Sequence, residues 1–372
     1  MRSFGERSRR WPGVLALALA LPLAGCATDS DRPDAAPPSS GSSATSGATS
    51  GGTSGRTGGG TSGGTSGGTS GSTGGGTGTA TAAPGTREQL RVDGDVRQYL
   101  LHRPSSTPAP SAADGPRPLV VAFHGRGADA AELRAKTRLE KAATARGMLV
   151  AFPEGLGHGW GAGTRATQQR PDPELDVRFT EALIKHLVRT ERADPERVYV
   201  AGFSNGGSMA LRVAAERPGL LAGAASVSGQ LPTGDAAVEP TGPVPVMVVY
   251  GADDPVRPLA GLPSPPPDPE EPILATRSAR DTAAAFAAAG GAGEPVTREE
   301  EGYDRTVWRL GTGAPGGDRR PDGTVRLLVV ENAGHTWPGS TVPPPEGFGP
   351  VSRALDATDT ILDFFADPGP GR

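Results

Sequence analysis

The chain has 372 residues, one cysteine, and 37 Lys and Arg against 41 Asp and Glu, for a formal charge of −4. A lone cysteine excludes an intrachain disulfide, so an exported domain must be held together by its core alone. The mildly acidic balance, with no basic patch beyond the first residues, argues against nucleic acid as a partner.

Arg2, Arg7, Arg9 and Arg10 precede an apolar run from Val14 to Ala24. That run is about half of the ~20 residues a bilayer-spanning helix needs, so it reads as the core of an export signal. It ends in Leu23-Ala24-Gly25-Cys26, which resembles the lipobox of bacterial lipoproteins, where small residues suit the signal peptidase and the thiol takes the diacylglyceryl group. An ordinary secretory peptide that happens to contain a cysteine is the alternative. Residues 1–26 are thus expected to be a lipoprotein signal, with Cys26 anchoring an exported protein to the membrane of the cell envelope. Residues 27–86 are almost wholly Gly, Ser, Thr, Ala and Pro, a composition that cannot bury enough apolar surface to offset its ordering entropy. They read as a disordered tether, whose mean span for ~60 residues is on the order of 40 Å.

From about residue 87 strand-length apolar runs alternate with helix-period segments up to residue 367, ahead of a short disordered tail at 368–372. A first strand is predicted at 96–104, paired with the end of the tether or with 88–93. Strands follow at 118–125, 148–155, 198–204, 222–229 and 244–251, and a last one opens the stretch 325–335. Helices are predicted over 129–146, 173–190, 206–216, 275–289 and 352–366. The Val/Leu/Ala runs lack alternation, which suits strands buried on both faces, so the pattern predicts one α/β domain with a mostly parallel sheet covered on both sides. Two excursions, 157–173 and 257–272, follow strand ends and are the expected pocket walls.

The stretch VYVAGFSNGGSMALRV (198–213) sets Ser204 between Gly202 and Gly206 where a strand meets a helix. A sharp turn there strains the serine backbone, lifts its hydroxyl clear of the sheet, and points the Asn205 N–H from the positive end of the helix. A serine hydroxyl also needs a base and a carboxylate that orients it. His335, in ENAGHTWPG beyond the last strand, is the sole histidine after Ser204. The strand ending in YGADDP offers Asp254 as the acid, with Asp253 as its alternative, one of the two being a turn residue. Glu270, Glu271 and Glu299 to Glu301, in loops or off strand ends, read as solvated surface charges. In AFHGRGAD (122–129) an HGxG loop follows the first long strand, so the Arg126 N–H is expected beside that of Asn205 as a second donor to a carbonyl oxygen, with His124 structural. Trp160 and Trp337 are candidates for stacking on a substrate, or for packing under a loop.

Taken together, FHGRGAD, LDVRFTEALI, DPERVYVAGFSNGGSMALRVAAERP, YGADDPVRP and NAGHTWPG resemble the α/β-hydrolase esterases related to extracellular poly(3-hydroxybutyrate) depolymerases and to feruloyl and acetylxylan esterases. The resemblance runs over most of residues 90–366. It implies the α/β-hydrolase fold, Ser204 as nucleophile, His335 as base, Asp254 as acid, and the N–H groups of Arg126 and Asn205 as oxyanion hole. It also implies a structural role for Asp176 at the start of its helix. Tyr250 departs from the pattern, standing where relatives often carry His. The expected function is a membrane-tethered serine esterase acting on a polyester oligomer or an aromatic or acetyl sugar ester. An envelope acyltransferase with the same residues, and a non-catalytic binding lipoprotein, are the alternatives. No metal and no cofactor are expected, and the protein is expected to be monomeric.

Overall fold

The structure is a computed structural model and describes residues 85–104, 115–265, 273–310 and 323–366. The expected signal segment with Cys26, nearly all of the tether and the short tail lie outside the described residues. The chain opens on an antiparallel hairpin of β1 (Thr86–Val92) and β2 (Asp95–His102). Strand and helix then alternate: β3 (Arg117–Phe123), α1 (Ala130–Thr137), α2 (Leu139–Ala145), β4 (Leu149–Pro153), α3 (Leu175–Thr190) and β5 (Ala193–Phe203). After these come α4 (Asn205–Glu216), β6 (Gly223–Val227), β7 (Val246–Gly251) and α5 (Ala279–Ala289). A second hairpin of β8 (Val296–Glu300) and β9 (Tyr303–Arg309) precedes β10 (Thr324–Val330) and α6 (Ala357–Ala366).

All ten strands form one sheet in the order β1-β2-β4-β3-β5-β6-β7-β10-β9-β8. The stretch from β4 to β10 is parallel throughout, and the two hairpins extend it antiparallel at either side. Alternation in β3 explains why a continuous apolar run is needed. Leu119, Val121 and Phe123 enter the core under α3, α4 and α5, whereas Val120 and Ala122 enter the core under α1, α2 and α6. Along α3, Val177, Phe179, Leu183, Ile184 and Leu187 form the buried stripe that packs on the first of these faces.

Four differences from the sequence expectation have local causes. The helix expected over 129–146 is broken at Arg138, which adopts φ 52°, ψ 24°. There the Thr137 carbonyl accepts a hydrogen bond from Thr358 Oγ1 (2.6 Å), and Thr137 Oγ1 receives the Leu139 N–H (3.2 Å), so both groups leave the helical ladder. The helix expected from 275 begins at Ala279, because Thr276 pairs as an isolated bridge with Pro232 and Leu262 and Ser278 caps the helix on the Asp281 N–H (2.9 Å). The last helix starts five residues late, at Ala357, where Asp356 Oδ1 accepts the Thr358 N–H (2.9 Å). The acidic group Glu299 to Glu301, expected in a loop or off a strand end, forms the end and turn of an unexpected β8–β9 hairpin, with Glu300 accepting from Arg305 (2.6 Å). Its mostly exposed, charged VTREE sequence suits an edge strand, which charge protects from pairing with other chains.

Candidate active site

β5 delivers Phe203 to the sheet rim, and α4 starts at Asn205, leaving Ser204 alone to make the turn. Its backbone takes φ 56°, ψ −118°, a conformation that costs a non-glycine residue about 1–3 kcal/mol. The surroundings enforce it. The Ser204 N–H donates to the Val227 carbonyl (2.8 Å), and the Ser204 carbonyl accepts from the Ser208 N–H (3.0 Å). The flanking glycines are a steric requirement: a Cβ on Gly202 would lie 2.1 Å from the Gly206 carbonyl oxygen, and one on Gly206 would lie 2.2 Å from that of Phe123. That close approach also presses the 124–127 loop against the turn, so that a Cβ on Gly125 would stand 3.5 Å from the Ser204 Cβ.

His335 reaches the same rim from the loop after β10. Its Nε2 is 2.8 Å from Ser204 Oγ, and its Nδ1 is 2.8 Å from Asp254 Oδ2. The carboxylate accepts, so Nδ1 carries the proton and Nε2 is left to receive the serine O–H. The imidazole is clamped by the rings of Phe203 and Phe348, at centroid distances of 5.1 and 5.3 Å, and the backbone N–H of His335 donates to the Phe348 carbonyl (2.6 Å). Burial, the largest influence, pulls its pKa below the ordinary histidine range. The hydrogen bond and charge of Asp254 oppose that, while Arg257 and Lys136 add to the lowering. The loop segment holding Phe348 has no helix or strand periodicity, so no sequence signal pointed to it.

Of the two aspartates after β7, the structure brings Asp254 to the site. Asp254 is buried, and its Oδ1 accepts the N–H groups of Val256 (3.0 Å) and Arg257 (2.8 Å) while Oδ2 faces His335. Asp253 is exposed and gives its backbone N–H to the Ala333 carbonyl (3.0 Å). Asn205 is the first residue of α4, where a backbone N–H has no acceptor within the helix. Arg126 lies in the loop pressed against the turn, as the HGxG pattern anticipated. His124 is structural: its Nε2 accepts the Gly155 N–H (2.9 Å), so its Nδ1 carries the proton that bonds the Gly125 carbonyl (2.8 Å).

Beside the serine a cleft open to solvent is walled by Arg126, Trp160, Asn205, Ser208, Gln230 and Arg257 together with residues of the 161–173 segment. Both predicted wall loops contribute to it. The first is fastened to the turn by a reciprocal pair, Trp160 N–H to Asn205 Oδ1 (2.7 Å) and Asn205 Nδ2 to the Trp160 carbonyl (3.0 Å). It is also held from below by Asp176, whose carboxylate takes Arg97 (2.9 Å), Arg170 (2.8 Å) and the Gly161 N–H (2.8 Å), all in buried or part-buried settings. The Trp160 ring is itself 1% exposed, packed edge-on against Phe123, with Nε1 donating to the His124 carbonyl (3.0 Å). Trp337 does not line the cleft. It is 2% exposed in the core under α6, with Nε1 donating to Thr358 Oγ1 (3.0 Å), because an indole in the interior satisfies its N–H there. No group of side chains able to hold a metal ion occurs among the described residues.

An open parallel sheet whose central strand turns through a strained serine into a helix, followed in chain order by an aspartate and a histidine, defines the α/β-hydrolase class. A profile of the Phospholipase/Carboxylesterase family matches residues 110–262. The protein NocK of Nocardia uniformis subsp. tsuyamanensis, named as an esterase, is 42% identical over 296 residues, which span 76% of this chain and 83% of NocK. Feruloyl esterase B of Piromyces equi is 28% identical over 165 residues, 42% of this chain and 29% of its own length. The solved acetyl xylan esterase from Aspergillus awamori superposes with a TM-score of 0.48 at 16% identity, over 76% of this chain and 99% of that one. The chain belongs to the α/β-hydrolase esterase family and is a carboxylic ester hydrolase.

Proposed function

We propose that the protein cleaves carboxylic esters through an acyl-enzyme on Ser204. The observation that carries this reading is the run of 2.8 Å contacts from Ser204 Oγ through His335 to Asp254 Oδ2. In the first half-reaction Ser204 Oγ attacks the ester carbonyl while His335 Nε2 takes the hydroxyl proton. The oxygen, now negative, is received by the N–H groups of Arg126 and Asn205, and Asp254 stabilises the imidazolium. His335 then protonates the departing alkoxide. Water repeats the sequence on the acyl-enzyme and releases the acid.

The substrate class we favour is that suggested by the names of the feruloyl and acetylxylan relatives and by the polyester-depolymerase resemblance: an aromatic or acetyl ester of a sugar, or a hydroxybutyrate oligomer. Turnover of a panel of these three ester types, with Ser204→Ala as the blank, tests both levels. The variant is expected to lose at least about 10⁴-fold in kcat and to lose labelling by a fluorophosphonate; retained turnover would sink the mechanism.

The protein works as a monomer at the cell envelope, exported and held to the membrane through lipid on Cys26. The support is the charged start, the short apolar run and the single cysteine at its small-residue end. With Cys26→Ser, incorporation of radiolabelled fatty acid should vanish and the protein should move from the membrane fraction to the medium.

A further inference from the structure

Arg257 is a cation with no carboxylate partner among the described residues, and it stands in the wall of the cleft. Every other structural element at this point fixes its position. The Tyr250 hydroxyl donates to its carbonyl (3.0 Å), its N–H donates to Asp254 Oδ1 (2.8 Å), and its Nη1 donates to Ser208 Oγ (2.9 Å). Asp254 is a carboxylate whose charge acts on it, and both oxygens of that carboxylate are already engaged by backbone N–H groups and by His335. The guanidinium has five donors in a fixed fork, and its side chain gives one hydrogen bond, to Ser208. Crowding by protein pulls its pKa below the usual arginine range, with Arg126 acting in the same direction, yet arginine keeps its proton in proteins. A part-buried cation held in place by three neighbours, with donors left over, is a receptor for an anion.

Geometry selects the side of the ester. Ser208 lies four residues beyond Ser204 at the start of α4, about 6 Å along the axis, and Arg257 Nη1 is a further 2.9 Å from Ser208 Oγ, a separation that a short acyl chain can span. The leaving-group oxygen must face His335 Nε2, which lies 2.8 Å from Ser204 Oγ. Arg126 and Asn205, whose N–H groups would hold the carbonyl oxygen, are part of the cleft wall. We place the acyl portion in this cleft, on the side of those two N–H donors.

The geometry points to Arg257 as a specificity residue that binds a carboxylate on the acyl chain, so that the preferred substrates are half-esters of short dicarboxylic acids with about four carbons. This inference rests on the serine-esterase reading of the same site. Its test is the ratio of kcat/KM for monoethyl succinate to that for ethyl 4-methylpentanoate, in which an isopropyl group replaces the carboxylate at equal shape. A third probe, the butyrate ester of glycolate, puts the charge on the alcohol side. The native protein should favour the succinate half-ester at least tenfold over its neutral isostere, and added salt should shrink the preference. Arg257→Met should abolish the preference and Arg257→Lys should restore part of it. The proposal is overturned if the native protein prefers the neutral ester, if the glycolate probe is the favoured anion, or if Arg257→Met lowers both rates equally and leaves the ratio intact, which is the signature of a brace for Ser208. Loss of all turnover in Ser204→Ala, measured on the same esters, reports on the mechanism separately from this ratio.

Discussion

Two adjacent aspartates follow the same strand, yet they are not equivalent. Asp254 is locked by three hydrogen bonds, one of them to His335, while Asp253 faces solvent. Asp254→Asn would leave the site packed but favour the wrong histidine tautomer, so kcat should fall by about 10⁴, whereas Asp253→Asn should stay within about threefold of the native rate. A steady-state comparison of the two variants checks it; a larger loss at residue 253 would reverse the assignment. The same residues set the pH profile. A base must be neutral to accept a proton, and burial holds the His335 pKa below the ordinary value of about 6.5. The acid limb of kcat/KM is therefore expected below that pH, with full activity above it. Because Asp254 opposes the lowering, the residual activity of Asp254→Asn should show a limb at still lower pH.

Between the sheet and α4 there is no room for a methyl group, and this is an element-scale constraint. A Cβ on Gly206 would overlap the carbonyl oxygens of Phe123 (2.2 Å) and His124 (2.3 Å), which are backbone atoms of β3 and of the loop that carries Arg126. Relief would require moving β3 away from β5, two strands paired from Leu119–Val198 to Phe123–Gly202. Gly206→Ala should therefore destabilise the fold by more than about 3 kcal/mol or fail to express in soluble form, while Gly293→Ala, where a Cβ meets nothing within 4 Å, should change stability by less than about 0.5 kcal/mol. Urea unfolding curves of the two variants distinguish them. Elements also explain which expectations failed. The β8–β9 hairpin escaped notice because its exposed face is charged and its inward positions alternate, as Thr306 and Trp308 do, without a continuous apolar run. The break between α1 and α2 was invisible because Thr358, more than two hundred residues away, captures the Thr137 carbonyl.

At the scale of the whole molecule, the candidate catalytic residues follow β3, β5, β7 and β10 at one end of a sheet whose cores, among the described residues, run from Tyr99 to Phe365. Among the described residues, no buried member of either core precedes Tyr99. A chain starting at residue 85 should unfold at the same temperature as the mature protein and hydrolyse a soluble ester at an equal rate. Calorimetry and steady-state kinetics on the two chains check this, and a drop of more than a few degrees would mean that the segment before β1 contributes to the fold.

What the sequence determined by itself is local. The β-branched runs, the glycines around Ser204, the single histidine after it and the HGxG loop specify strands, a strained turn and the order of the reactive groups, because each depends on neighbours in the chain. Tertiary structure decided the choice between Asp254 and Asp253, which rests on the loop carrying His335. It also decided the fate of Trp337, drawn into the core by Thr358, and the placing of Arg257 in the cleft wall. Those outcomes depend on atoms distant in sequence coming together in the fold, and no pattern along the chain encodes which side chains will meet there.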